Sequence, residues 1–386
     1  MSRSIFQLGP TAVKEHVDAV VIGGGIFGCA AALLLARNQS VMLVDKESRI
    51  LNQASSMNQA RVHTGLHYLR APQTARSAQQ HFERFVSEHS DAINEGFEHF
   101  YGIDRFASLT SAQGFRRISE YLGVAATEVV DDNDSRLLFA SLEAVFSIHE
   151  PSYDPLILRR IYEGKLAISP VDQRMNSWVE SVSNAGTRWI LHLREDYGNV
   201  KSIIETPMVI NATYAGLNNV NSLFGLRNLD LREEWTELLL VKDAFPESKG
   251  LTVMDGSFLS LTPYGFSGLH CLSSVPYSHV GTRTLKSAYA SNPNHTIQHV
   301  TKCGDIDAFW RRRDAWILKQ LQKYVRLDSQ PVVHRRLRSL KVTWAGNDYR
   351  DERRTVISQL SRRPNFYALL SGKVTSIYEL ENLLDG

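Results

Sequence analysis

"DAVVIGGGIFGCAAALLLARNQSVMLVDKE", residues 18–47, limits what this chain can fold into more than any other stretch. "DAVVI" is a short apolar string with β-branched residues, read as a buried parallel strand. Gly23, Gly25 and Gly28 follow with the spacing G-x-G-x-x-G. The first glycine permits a tight turn, the second lets the backbone approach a pyrophosphate, and the third lets helix and strand pack closely. "CAAALLLARN" continues as an apolar helix whose N-terminus turns unpaired N–H groups toward the phosphates. "SVMLVD" is the second strand. It ends in Asp45, at the distance where an acid accepts ribose hydroxyls. Strand, glycines, helix, strand and acid in this order predict a dinucleotide site. Cys29, at the start of the helix, reads as a small buried side chain rather than a reactive thiol.

Composition narrows the remaining classes. With 386 residues the chain is long enough for two domains. A net charge of +2 provides no global field for nucleic acid, so no nucleic-acid partner is expected. The basic clusters at Arg311–Arg313 and His334–Lys341 read as a solvated helix face and strand-end arginines. Cys29, Cys271 and Cys303 are far apart and form no metal or disulfide pattern, which fits a reducing compartment. The N-terminus has no apolar signal region, and no apolar run approaches the ~20 residues needed to span a bilayer. The expectation is a cytoplasmic protein with no metal and no integral membrane segment.

A nicotinamide-binding domain would continue with further βα units. This chain instead enters the polar loop "ASSMNQARVHTGLHYLR", residues 54–70, followed by a helix expected over about Pro72–Asn94. The glycine unit and this loop, together with "PMVINATYAGLNNV" at 207–220, resemble the FAD-dependent oxidoreductases of the D-amino-acid oxidase and glycine oxidase superfamily. The "VHTGLHY" stretch is closest to its hydroxyacid and glycerophosphate members. The chain departs from the family at Tyr214, where glycine is usual, and a tyrosine disfavours positive φ.

The resemblance implies non-covalent FAD and a set of residues around it. Gly23, Gly25, Ile26, Phe27 and Gly28 would face the pyrophosphate, with Asp45 and Lys46 at the next strand end. Ser55, Ser56, Asn58, Gln59, Ala60 and Arg61 would carry the loop toward the flavin ring. Val179 would touch adenine through its backbone, and Ala212 and Thr213 would lie beside the cofactor. Gly372, Lys373, Val374 and Thr375, in "RPNFYALLSGKVTSIYELENLL", would open a last helix at the flavin ring, where its amides favour negative charge.

The implied fold is α/β: a Rossmann-like FAD-binding domain of the glutathione-reductase type, interleaved with an α+β substrate domain on a large mixed or antiparallel sheet. Residues 1–94, 151–224 and 341–386 are expected to form the first, and 95–150 and 225–340 the second. "FEHFYGI", "FASLT" and "AVFSIHE" read as strands. "YDPLILRRIYEGKLA" reads as a helix capped by Asp154 with Pro155 at its first position. "DAFWRRRDAWILKQLQKYV" reads as an amphipathic helix.

Flavin would carry the redox step, leaving orientation and electrostatics to the protein. A neutral amine needs no strong base, whereas an alcohol must lose its hydroxyl proton to one. His63 and His67 lie in the loop expected to pass the flavin ring, and His67 and Tyr68 are placed to face a substrate there. A carboxylate or phosphate substrate calls for an arginine; Arg61, Arg70, Arg336, Arg353 and Arg354 are candidates, with Arg354 chosen. Tyr264 and His270 are read as roofing or structural residues. Two enzyme readings therefore stand, oxidation of a small amine or amino acid and oxidation of a 2-hydroxy acid or polyol phosphate, with the acceptor (oxygen, a quinone or another protein) left open by the sequence. A third reading is a Rossmann scaffold without turnover.

Overall fold

Two apolar strings build the centre of the fold. Ala19–Ile22 and Val41–Val44 are buried at every position and pair in parallel, Val20 opposite Met42. Their alternation sends side chains to two different cores. Ala19, Val21, Val41 and Leu43 pack with the Ile26–Leu35 and Pro155–Ala167 helices, while Val20, Ile22, Met42 and Val44 pack with Trp189, Leu191 and Leu193. A strand that is apolar on both faces needs cover on both sides, and here helices cover one side and a second sheet the other.

The structure, a computed structural model, describes residues 14–130, 136–195, 198–255, 258–285, 306–345 and 355–384. The central sheet has six strands in the order Val356–Arg362, Asn365–Leu370, Met208–Asn211, Ala19–Ile22, Val41–Val44 and Asp172–Arg174. All neighbours are parallel except the first pair, a hairpin. The four-stranded sheet that covers it runs Lys14–His16, Gly198–Thr206, Trp189–Glu195 and Ser177–Asn184. A nine-stranded mixed sheet carries Glu98–Asp104 and Leu142–Ile148 beside strands from residues 231–285 and 332–344.

Several local expectations are corrected. "FASLT" is a turn, because the Asp104 carboxylate accepts the amides of Phe106 and Ala107 at 2.8 Å and stops the strand. The Pro72–Asn94 helix is two helices, Pro72–Gln80 and Phe82–Glu88, broken at His81, with a short strand at Ile93–Asn94. Ala75 faces the core under the large sheet, whereas Phe82 and Phe85 face the core of the parallel sheet, so one straight helix would not serve both. The last helix opens as a 3₁₀ segment, Val374–Leu380, before Glu381–Leu384. Its first turn is tightened by Ser376, whose amide and hydroxyl both donate to the Lys373 carbonyl, at 3.1 and 2.8 Å.

The Asp154 cap forms as read, its carboxylate accepting from the amides of Leu156 and Ile157. The Val332–Trp344 strand runs past residue 340, pairing along the whole of Leu231–Lys242. Arg313 is not on a solvated face. It is nearly buried and donates to the carbonyls of Tyr277 and His279. Among the described residues no helix is long and apolar enough to cross a membrane.

Candidate active site

The glycine unit makes a cradle that side chains would fill. Gly23 has φ +110°, and a Cβ there would stand 2.7 Å from the Ala212 carbonyl oxygen. A Cβ on Gly28 would overlap the Gly23 carbonyl oxygen. The Ile26–Leu35 helix starts at Gly25 with no side-chain cap on its end, and its Ile26 amide donates to Ser55 Oγ at 3.1 Å. Backbone close to backbone at a helix end whose N-cap residue is glycine is the shape and polarity a pyrophosphate requires. Ile26 and Phe27 point into the core.

Asp45 closes the second strand. Its carboxylate accepts the amides of Gly24 and of Glu47, the latter at 2.7 Å. Burial raises its pKa, and those two amides oppose the rise. The Asp45 carbonyl accepts the Ser177 amide at 2.9 Å, which brings the strand bearing Val179 to this corner, while Lys46 is exposed. On the other side the Ala212 amide donates to the Ile22 carbonyl, and Thr213 bonds to Asn211 Oδ1 through its amide and hydroxyl.

Tyr214 keeps the left-handed backbone that glycine would adopt, with φ +53°. Its hydroxyl accepts the Val342 amide at 2.9 Å and donates to the Val342 carbonyl at 3.3 Å. Tertiary bonding thus holds a conformation the residue type disfavours.

The loop at 54–70 is clamped at nearly every step. Ser56 bonds to the Leu51 carbonyl, and its own carbonyl accepts the Tyr264 hydroxyl at 2.7 Å. Asn58 Oδ1 accepts the Ala60 amide and the Tyr153 hydroxyl, which supports a positive φ of 53° at Ala60. Gln59 reaches Ser273 Oγ at 2.7 Å, tying the loop to the large sheet. Arg61 turns into the protein interior. Its guanidinium bonds Glu150, Tyr101 and Ser260, and neither Arg61 nor Glu150 has an exposed side-chain surface.

His63, His67, Tyr68 and Lys373 come together in the same place. The two imidazoles stack with centroids 5.0 Å apart, and Tyr68 meets both edge-on. Lys373 Nζ lies 4.1 Å from the Tyr68 ring centroid. His63 Nδ1, His67 Nδ1 and the Tyr68 hydroxyl are buried atoms without a hydrogen-bond partner. Burial, then Lys373 and Arg61, push His63 down to about 3, with Glu150 opposing. Burial, then His63, Arg61 and Lys373, push His67 well below its usual value. Burial, then Arg61, push Lys373 down to about 7. Two neutral imidazoles therefore stand beside an amine that titrates near neutrality. The neighbouring turn is tied to Thr355: the Gly372 amide and Ser376 Oγ both bond Thr355 Oγ1, and Thr375 is buried.

Other candidates lie elsewhere or are already engaged. Arg70 pairs with Asp255 at 3.0 Å and Arg336 with Asp314. His270 is buried, with Nε2 2.9 Å from the Lys249 carbonyl oxygen. Arg353 and Arg354 lie outside the described residues. Glu150, Tyr101 and Thr64 carry no local signal in the sequence, because Glu150 lies just beyond the Leu142–Ile148 strand and its partners are 86 to 89 residues earlier, or 49 for Tyr101. Among the described residues no group of three or more His, Cys, Asp or Glu could hold a metal ion.

This geometry fits the comparisons with known proteins. The sequence model of the DAO family, "FAD dependent oxidoreductase", matches residues 18–373. A FAD-dependent monooxygenase, FPY4, of Fusarium mangiferae is 27% identical over 263 residues, 68% of this chain and 64% of that protein. The mitochondrial L-2-hydroxyglutarate dehydrogenase of Arabidopsis thaliana is 42% identical over 67 residues, 17% of this chain and 14% of that protein. The matched regions thus span less than two thirds of either curated relative. Among solved structures, glycine oxidase from Geobacillus kaustophilus superposes with TM-score 0.66 at 12% identity, covering 96% of this chain and 94% of that one. NikD, an amino acid oxidase of nikkomycin biosynthesis, gives 0.67 at 15% identity, with the same coverage. These two share the fold. Family match, superposition and glycine cradle agree, and the chain belongs to the DAO family of FAD-dependent oxidoreductases, with FAD as its cofactor.

Proposed function

We propose that the protein oxidises the CH–OH group of a small 2-hydroxy acid, with one histidine of the His63–His67 pair taking the hydroxyl proton. The observation that carries this reading is the stacked pair itself: two imidazoles kept neutral by burial and neighbouring cations. A neutral amine substrate would need no such base, whereas a hydroxyl does. Lys373 is the cation that would face the substrate's carboxylate, because Arg61 is committed to Glu150. The Tyr68 hydroxyl offers a further polar contact. The similarity of one segment to L-2-hydroxyglutarate dehydrogenase supports the same class.

FAD, when bound, supplies the two-electron acceptor for the substrate's α-hydrogen as hydride. The protein binds the acid, orients its carbon, and removes the O–H proton, and a 2-oxo acid leaves. The glycine cradle, Asp45, Lys46, the Ser55–Ala60 run, Val179, Ala212, Thr213 and the Gly372–Thr375 turn would hold the cofactor non-covalently. The interleaved two-domain division, a cytoplasmic location, and reoxidation by oxygen or a quinone complete the reading.

The test is anaerobic bleaching of purified holoprotein with matched 2-hydroxy and 2-amino acids, repeated with His67→Ala and His63→Ala. Bleaching by hydroxy acids that collapses in either variant supports the reading. Bleaching by amino acids alone, unaffected by both variants, replaces it with amine oxidation. Protein that takes up FAD but is bleached by neither class leaves a scaffold without turnover. Flavin that stays with heat-precipitated protein would mean covalent attachment.

A further inference from the structure

Behind the histidine pair, Glu150 is the centre of a polar knot that reaches no solvent. Its Oε1 accepts from Arg61 Nε at 3.1 Å, from Arg61 Nη2, and from the Tyr101 hydroxyl at 3.0 Å. Its Oε2 accepts the Thr64 amide and hydroxyl, both at 3.1 Å. His63 Nδ1 approaches the same Oε1 obliquely at 3.3 Å. The knot joins the flavin-side loop to two strands of the nine-stranded sheet, through Tyr101 and Ser260.

Stability alone does not account for it. Taking both charges out of water costs several kcal/mol per ion, and well-packed apolar replacements are often no less stable. What apolar residues would not provide is an acceptor at His63 Nδ1. A bare lone pair on that nitrogen would face a carboxylate oxygen and be repelled; an N–H there is attracted. A lone carboxylate would also draw the ring toward imidazolium, which has no lone pair for a substrate proton. Arg61, bonded to the same oxygen, cancels that pull. The ring is thus oriented without being charged, in keeping with the neutral state that burial, Lys373 and Arg61 impose on His63.

We propose that Glu150, neutralised by Arg61, is a positioning residue that holds His63 as its Nδ1–H tautomer and leaves Nε2 bare as the base for the substrate hydroxyl. This rests on the proposed hydroxy-acid reading for its role in turnover, but not for the tautomer. Nδ1 is buried, while the side chain keeps 13% exposure. His67 stacks on the same ring, and Tyr68 meets it edge-on.

The test is imidazole-nitrogen NMR of holoenzyme labelled at histidine, with His63 assigned by the signal lost in His63→Asn. The expected wild-type spectrum near neutral pH has the His63 proton on Nδ1. A proton on Nε2, or an averaged mixture, overturns the proposal without any variant. The second arm is the double variant Arg61→Met with Glu150→Leu, which removes both charges together and so avoids an orphaned buried ion. Here His63 is expected to lose its single tautomer, and the limiting rate of flavin reduction by a hydroxy acid to fall about tenfold or more, with little change in substrate affinity. A double variant with the wild-type tautomer and rate overturns the proposal. If the double variant does not fold, the wild-type tautomer decides. If the tautomer depends on Glu150 but hydroxy acids do not reduce the flavin, the substrate reading fails while the positioning stands.

Discussion

The Tyr214 hydroxyl holds both backbone groups of Val342, accepting its amide at 2.9 Å and donating to its carbonyl at 3.3 Å. Tyr214 follows the Met208–Asn211 strand of the parallel sheet, and Val342 lies on the long strand paired with Leu231–Lys242. One side chain therefore joins the two large sheets beside the cofactor cradle. It also explains how a tyrosine persists at φ +53°, a conformation that costs roughly 1–2 kcal/mol for a non-glycine residue.

Tyr214→Phe keeps the ring and the strained backbone but removes the bond. Val342 is buried, so its amide would be left without this partner. The expected loss is about 1–3 kcal/mol of stability, read as a lower thermal midpoint of the holoprotein. An unchanged midpoint would mean that water replaces the hydroxyl and the bridge is not structural.

Gly28→Ala tests the cradle. The added methyl would overlap the Gly23 carbonyl oxygen, which is backbone and moves only if the turn opens. The variant is expected to be soluble but colourless, with flavin absorbance per mole of protein falling to near zero and incompletely restored by added FAD. Full FAD content would mean that the turn relaxes without losing its phosphate-binding shape.

Local chemistry was legible in the sequence, and long-range chemistry was not. The parallel strands, the glycine turn and the Asp154 cap are each specified within a few residues, and each forms as read. "FASLT" misled because its apolar residues suggest a strand while the turn is made by Asp104, just before them. His63, His67 and Lys373 were each picked out, but only the family resemblance, which puts both segments at the flavin ring, brings them together, because His67 and Lys373 are 306 positions apart in sequence (373 − 67). Glu150 carried no local mark at all. A buried carboxylate is defined by its partners, and Arg61 and Tyr101 come from other elements.

Lys373 gives a pH prediction on activity. Burial, then Arg61, push its amine down to about 7. If the protonated amine holds the substrate's carboxylate, kcat/KM for a carboxylate substrate falls as pH rises through about 7. Lys373→Arg keeps its charge across this range and should move that alkaline limb outward. Lys373→Met should raise KM below about 7, approach the wild-type value above it, and so flatten the limb. A limb that stays near 7 in both variants would assign it to another group.

Two further buried histidines add to the acid sensitivity of the fold, beside His63, His67 and His270, which burial also lowers. His89 and His99 are 1% and 0% exposed. Burial pushes His89 down to about 4, with the Phe85 carbonyl opposing. Burial, then Arg61, push His99 down to about 3, with Glu150 opposing. Above about 6.5, the ordinary histidine value, both rings are neutral folded and unfolded, so their neutral burial carries no protonation cost. Below it the unfolded chain binds protons that the folded chain refuses. Stability is then lost as pH falls from 6.5 toward 3–4, at up to about 1.4 kcal/mol per pH unit for each ring. Between pH 7 and pH 5 the thermal midpoint should fall steeply, before most carboxylates titrate. His99→Gln offers a side chain able to bond Thr252 Oγ1, 2.9 Å from His99 Nε2, but removes one titrating group. Its loss between pH 7 and pH 5 should be smaller than wild type by about 2 kcal/mol. An equal loss in both proteins would show that His99 is already protonated at pH 5 in the folded state.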